Sequence, residues 1–266
     1  MSFYTGGSTG KPSNLNISST AVLSAGYAGR ATEFTPDRKD VVAGTILWKR
    51  VLDVALSLTA LVLLSPVMLA AALAVKLTSP GPTIFSQERV GLNRRVGYRR
   101  RSTRGSNGED RRRKDRRVLV GFGKPFKMYK FRTMVADAEK GRPVWAQKND
   151  SRITRVGALL RRTRIDELPQ FAHVLKGDMS IVGPRPERAY FIAQIEKDLP
   201  EFQNRLRTKP GITGLAQVEL GYTNTVEGMY DKLGFDLTYI RDLTPLADLR
   251  ILFKTVSVVF TGKGAY

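Results

Sequence analysis

The longest unbroken hydrophobic run is Val54–Val75 (VALSLTALVLLSPVMLAAALAV), 22 residues without a charge. As one straight helix it would extend roughly 33 Å, enough to cross a hydrocarbon core of about 30 Å. A single transmembrane span is one reading. Against it, Ser65-Pro66 falls near the middle, where the proline removes an amide donor and disfavours helical torsions at the residue before it. Ser65 can hydrogen-bond a carbonyl freed by the break, which makes a bend tolerable at membrane depth. Lys49 and Arg50 precede the run, and Lys76, Arg89, Arg94 and Arg95 follow it, so the positive-inside tendency puts both ends on the cytoplasmic side. The arms Val54–Leu64 and Val67–Val75 are each roughly 14–17 Å long, one leaflet deep. A re-entrant helix–break–helix over 46–78 is therefore the second reading, and these features leave both open.

Ser79-Pro80-Gly81-Pro82 then stops the helix and turns the chain. Two strand-like runs follow, Thr83–Arg89 and Pro125–Arg132, predicting a β-hairpin. From Ile153 the period becomes helical: Ile153, Val156, Leu159 and Leu160 share a face, with Arg161, Arg162 and Arg164 opposite, until Pro169 limits it. Phe191–Ile195 and Phe202–Leu206 predict short amphipathic helices, and Ile212–Val218 a strand or extended loop. Near the C-terminus, Leu249, Leu252, Phe253, Val256, Val259 and Phe260 form an apolar stripe. It is expected as core in preference to an interfacial helix on a bilayer. Residues 1–36 hold 20 Ser, Thr, Gly or Ala and extend a flexible tail over 1–40, without the basic start and apolar stretch of a signal peptide. The expected class is α+β, with residues 79–266 as one domain of helices around a hairpin.

Charge changes the picture. The chain carries +20 at pH 7, which predicts anionic partners: nucleic acid, an anionic membrane or phosphorylated substrates. Twelve basic and three acidic residues lie in Arg94–Arg117, an excursion expected at the hairpin tip (an insertion over 93–118). It could follow anionic lipid headgroups or serve only as a solvated charge run. It lacks the interleaved aromatics that base stacking wants, so nucleic acid is not the expected partner. With no cysteine and one histidine, His173, thiol chemistry, Cys-ligated metals and His–His metal pairs are excluded. Chemistry must rest on carboxylates, lysines and arginines.

Asp166-Glu167, in RIDELPQ, is the leading pair. Adjacent carboxylates among arginines can bind a divalent cation, and one can attack phosphorus; a surface salt-bridge cluster is the plainer reading. In Gly183-Pro184-Arg185-Pro186 the flanking prolines confine Arg185 and present its guanidinium to a phosphate or to a structural carboxylate. Alternation along Lys130-Phe131-Arg132-Thr133 puts Lys130 and Arg132 on one strand face. Lys209-Pro210-Gly211 offers a further cation in a loop, and His173 reads as structural.

Taken in order, KRVLD (49–53), SP (65–66), GP (81–82), KFRTM (130–134), RIDELPQ (164–170), LKGDMSIVGPRP (175–186) and KPGITGLAQV (209–218) closely resemble the bacterial sugar transferases known as monotopic phosphoglycosyl transferases. The resemblance covers 46–266, and TGKGAY at the C-terminus is similar to the exopolysaccharide- and O-antigen-initiating branch. It implies transfer of a sugar-1-phosphate from a UDP-sugar to undecaprenyl phosphate with release of UMP. It further implies Asp166 as nucleophile forming a phosphosugar–aspartate intermediate, and Glu167 as metal ligand or proton-transfer aid. Mg2+ would be held by Asp166 and Glu167, with a nucleotide loop at Pro184, Arg185 and Pro186 and phosphate contacts from Lys130, Arg132 and Arg164. The break at Ser65 and Pro66 becomes a re-entrant membrane helix, and the domain is expected on the cytoplasmic face of the bacterial inner membrane, touching anionic lipids. A homodimer is compatible by analogy, and larger relatives carry a multi-span N-terminal region that this sequence lacks. The Arg94–Arg117 excursion and His173, where relatives often have asparagine, depart from the pattern. A non-enzymatic, membrane-anchored basic protein tethering nucleic acid or acidic partners through Arg94–Arg117 is the alternative that charge and anchor also fit.

Overall fold

The computed structural model describes residues 41–93, 123–138, 150–220 and 226–261; the expected tail and the Arg94–Arg117 excursion lie outside them. Helices α1 (Val41–Leu63) and α2 (Ser65–Thr78) meet at a 60° bend. Pro66 has no N–H to give the Val62 carbonyl, and the Ser65 hydroxyl donates to that carbonyl instead, at 2.8 Å. The break is thus satisfied from within, as the Ser-Pro pair predicts. Among the described residues no single helix is long and apolar enough to cross a membrane, whereas the bent pair together has the length and composition. Val51, Leu58, Val62, Leu63, Leu69, Leu73 and Leu77 all point outward, while Asp53, Ser57, Ala71 and Val75 face the rest of the fold.

Strands β1 (Ile84–Val90) and β2 (Pro125–Phe131) pair antiparallel, with Phe85 opposite Lys130 and Arg89 opposite Phe126. Next come α3 (Arg155–Arg162), a 3-10 turn (Ile165–Gln170), α4 (Phe171–Lys176) and β3 (Ser180–Val182). They are followed by α5 (Ala189–Asp198), a second 3-10 segment (Pro200–Arg207), β4 (Gly211–Thr213), α6 (Leu215–Glu219), α7 (Val226–Arg241) and α8 (Pro245–Thr261). Parallel β3 and β4 make a second small sheet, so the class is α+β. One apolar cluster joins α5, the second 3-10 segment and α7 through Ile192, Phe202, Leu206 and Leu233. Another joins β2, β3 and α8 through Met128, Val182 and Ile251. The smallest seats α2 on β2 and α3 through Ala71, Val75, Phe131 and Leu160.

Two expectations change. The Ile212–Val218 run is strand only to Thr213. Gly214, extended and close against the Gly183 carbonyl, then leads directly into α6. The C-terminal stripe is mostly not core: Leu249, Phe253, Val256 and Val259 are exposed, Phe253 by 76%, and only Leu252 packs half-buried against the second cluster among its described side chains. α8 packs through its other face, where Ile251 is buried and the Thr255 hydroxyl meets that of Thr213 at 2.7 Å.

Candidate active site

Three pieces of chain converge. The Thr154 side chain starts α3 by accepting from the Gly157 amide at 2.9 Å. Arg164 ends the turn that follows with φ +59°, the one positive φ at a non-glycine residue among those described. Such a conformation costs on the order of 1 kcal/mol or more and is retained where the surroundings over-determine it. Here it swings the chain into the 3-10 turn and carries Asp166 and Glu167 inward, where they are 6% and 8% exposed.

β2 supplies the second piece. Phe126 and Met128 line its inner face and Lys130 continues that face, so the strand delivers an ammonium into the fold. Lys130 Nζ meets Glu167 Oε1 at 2.6 Å. The third piece is the Gly183–Pro186 loop after β3, from which Arg185 Nη2 reaches the same Oε1 at 3.2 Å. Two cations thus clamp one carboxylate oxygen. Burial alone would raise the Glu167 pKa, but Lys130, Arg185 and Arg164 overcome it and hold the group well below the usual carboxylate range. The Arg185 guanidinium is correspondingly held above its ordinary value by Glu167.

Asp166 is treated differently. Among the described residues no hydrogen bond or ion pair reaches its carboxylate. Burial pushes its pKa up, Glu167 adds to the rise, and Lys130, Arg161 and Arg164 pull against it. Two equally buried carboxylates therefore have different surroundings: one is clamped by two cations and firmly ionised, the other has its pKa raised and, among the described residues, no hydrogen bond to hold it. That is the division of labour expected of a nucleophile and a supporting group.

The structure brings together Asp166, Glu167, Lys130 and Arg185, with Arg164 contributing its charge. It does not bring Arg132 to either carboxylate. Its Nη2 donates to the Ser79 carbonyl at 2.7 Å and hydroxyl at 2.6 Å, a cation closing the C-terminus of α2. Lys209 lies beside Gly177 and the Arg50 guanidinium, at the end of α4. His173 is buried against Phe126 and Tyr129, and its Nε2 accepts from the Tyr129 amide at 3.1 Å. Burial lowers its pKa, so it packs as a neutral ring. Pro184 and Pro186 bracket Arg185 as expected, with the Pro184 carbonyl accepting from Gly211 N at 2.9 Å.

Arg161, read from the sequence as part of the basic helix face but not as a site residue, acts on Asp166 through its charge, and its Nε donates to Thr133 Oγ1 at 2.8 Å. Its position five residues before Asp166 on a basic face was the available signal. Sequence reasoning passed over a buried network beneath Arg185, formed by Arg89, Glu187, Arg205, Lys232 and Asp236. No local pattern marks those residues.

α2, the second arm of the bent pair, lies against the 3-10 turn that bears the carboxylates. With that geometry in view, comparison with known proteins assigns the class. A family model described as bacterial sugar transferase matches residues 44–119 and 112–262, and the chain belongs to that family. It is 39% identical over 217 residues to a UDP-N-acetylgalactosamine-undecaprenyl-phosphate N-acetylgalactosaminephosphotransferase of Aeromonas hydrophila, covering 82% of this chain and 44% of that protein. It is 41% identical over 222 residues to a UDP-glucose:undecaprenyl-phosphate glucose-1-phosphate transferase of Escherichia coli K12, covering 83% and 42%. An exopolysaccharide production protein of Rhizobium leguminosarum bv. phaseoli is 38% identical over 226 residues, covering 82% of this chain and 98% of its own. The chain spans less than half the length of the first two relatives.

Proposed function

We propose that this chain transfers a sugar-1-phosphate from a UDP-sugar to undecaprenyl phosphate, through an intermediate on Asp166. The observation that carries it is the contrast between Asp166, whose carboxylate no described residue hydrogen-bonds, and the doubly clamped Glu167 beside it. The relatives' names supply donor and acceptor classes and differ in the sugar, so the sugar is left open.

An Asp166 carboxylate oxygen attacks the sugar-bearing phosphorus. The bond from that phosphorus to the bridging oxygen breaks, and UMP leaves with the electron pair. A phosphate oxygen of the lipid then attacks the same phosphorus and displaces the Asp166 carboxylate, giving the lipid diphosphate sugar and restoring the nucleophile. Burial makes Asp166 a stronger nucleophile by removing water from it, and Lys130 and Arg185 offset the donor's negative charge. Among the described residues no cluster of three His, Cys, Asp or Glu side chains forms a self-contained metal cage. Two carboxylates, with one Glu167 oxygen outside the clamp, nevertheless fit magnesium, which takes one or two carboxylates plus substrate phosphates. Asp166 and Glu167 would hold it, and it would supply charge neutralisation for the diphosphate and the departing UMP.

The bent α1–α2 pair supports a re-entrant seat in the bacterial inner membrane, with the site at the cytoplasmic face. Outward Leu69, Leu73 and Leu77 would meet acyl chains, and the exposed stripe of α8 would lie at the interface. A water-borne donor and a membrane-borne acceptor would then arrive at one boundary. The test is UMP release from a panel of UDP-sugars by protein in nanodiscs, with undecaprenyl phosphate and magnesium. Release that needs the lipid, the metal and Asp166 is expected. Activity unchanged in Asp166→Asn would overturn the mechanism, and silence from a folded sample across all donors would favour the tethering alternative.

A further inference from the structure

The prolines around Arg185 restrict its backbone but do not aim it. What aims it lies beneath. Arg205 has a side chain only 1% exposed. Its Nη2 donates to the Arg185 carbonyl at 3.0 Å and meets Asp236 Oδ2 at 2.7 Å, while its Nε donates to the same carboxylate at 2.9 Å. Its Nη1 lies 3.8 Å from Glu187 Oε1, and its guanidinium carbon sits 4.8 Å from the centre of the Phe202 ring. Arg89, from β1, adds a donation to the next carbonyl, that of Pro186, at 3.1 Å. Glu187, which follows the loop directly, is held by Lys232 at 2.5 Å and by Arg89 at 3.6 Å.

Two consecutive carbonyls of the loop, Arg185 and Pro186, are therefore gripped by guanidinium groups from distant elements. A carbonyl fixed at residue 185 fixes the peptide plane to residue 186, and with φ of Pro186 locked by its ring the loop has little freedom left. The Arg185 side chain starts from a set origin and reaches Glu167 at 3.2 Å. A buried arginine serving only the core would need just its carboxylate partner; this one spends a donor on the backbone of a site residue. The five side chains also comprise three cations and two carboxylates, which leaves one positive charge in excess below the place where the donor's phosphates would bind.

We infer that Arg205 is a positioning residue that fixes the Arg185 loop for the donor diphosphate. The inference rests on the proposed function, because it takes Arg185 as a donor contact. Arg205→Lys keeps a cation for Asp236 but cannot span from Asp236 to the Arg185 carbonyl with one planar fork. In nanodiscs, Arg205→Lys is expected to raise the KM for the UDP-sugar about tenfold, the scale of one hydrogen bond to a charged group, with acceptor KM unchanged and a melting temperature lowered alike on the wild-type and Arg185→Ala backgrounds. On an Arg185→Ala background the same substitution should change donor KM less than about twofold, since the residue acts through Arg185. An unchanged donor KM, or an equal KM penalty on both backgrounds, overturns the inference. Should Arg205→Lys fold poorly, Asp236→Asn loosens the same grip and is read by the same two KM values. Wild-type protein that releases no UMP would instead count against the functional reading.

Discussion

At the scale of single residues, Glu167 and Asp166 differ through what stands beside them, and Lys130 is the pivot. Replacing Lys130 by Met leaves a buried carboxylate with one partner fewer and withdraws a cation from Asp166. Loss of one preorganised charge in such a site is expected to cost about 100-fold in kcat. The pH dependence has a definite sign. In the proposed mechanism Asp166 must be ionised to attack, and burial raises its pKa, so the acid limb of kcat/KM should lie above the ordinary aspartate value. Removing the Lys130 charge moves that limb further up; a pH–rate profile of both proteins checks it. Glu187 behaves oppositely. Burial would raise its pKa, but Lys232, Arg205 and Arg89 bring it from 4.5 down to about 2. Its stabilisation is therefore complete above pH 4.5 and lost as pH falls toward 2. Glu187→Gln should melt well below wild type at pH 7, with the gap narrowing by pH 3 in paired thermal scans. The Asp-Glu pair and Lys130 were legible because each sits in a short local pattern. Arg132 was not, since alternation holds only while the ladder continues: β2 stops at Phe131, and the next side chain turns in beside it toward Ser79. The Arg205 network joins residues far apart in sequence, which no local period encodes.

At the scale of elements, the Ser-Pro break and α8 carry the predictions. Ser65→Ala with Pro66→Ala returns a backbone donor to the Val62 carbonyl and removes the steric reason for bending. The pair should straighten into a span of roughly 50 Å or more at 1.5 Å per residue, longer than a bilayer core. Because the chain has no cysteine, single cysteines at positions before and after the pair can be introduced without clearing a background. Membrane-impermeant maleimide should label both positions from one side in wild type and from opposite sides in the double variant. In α8, Phe253→Glu puts a charge on an exposed apolar stripe. Its effect on melting should stay within about 0.5 kcal/mol, as for other surface changes, while flotation with anionic vesicles weakens. The stripe was legible as a helix but not as an outward face, because periodicity reports that one side is apolar and leaves open what covers it.

At the scale of the molecule, the site is an agreement between two small sheets and a bent helix pair. Gly183 is where the parallel sheet hands over to the Arg185 loop, and a Cβ there would collide with the Lys209 carbonyl and the Gly211 amide. Gly183→Ala should cost about 2 kcal/mol, seen as a lower melting temperature, and weaken donor binding in the same protein. The ordered motifs made the hairpin, the carboxylate turn and this loop readable, but not how they meet, which the packing around them decides. α1 shows how far that packing reaches. Asp53 accepts from Ser180 Oγ at 3.0 Å and Ile181 N at 2.8 Å, within β3. Arg50 closes α4 by donating to the Val174 and Leu175 carbonyls at 2.6 and 2.7 Å, and Lys49 pairs with Asp248 of α8 at 2.7 Å. The hydrophobic hairpin is consequently not a removable anchor. Excising it would strip β3, α4 and α8 each of a polar contact, so this architecture is not modular: the apolar helix pair and the domain that holds the two carboxylates have to be made, purified and inherited as one piece.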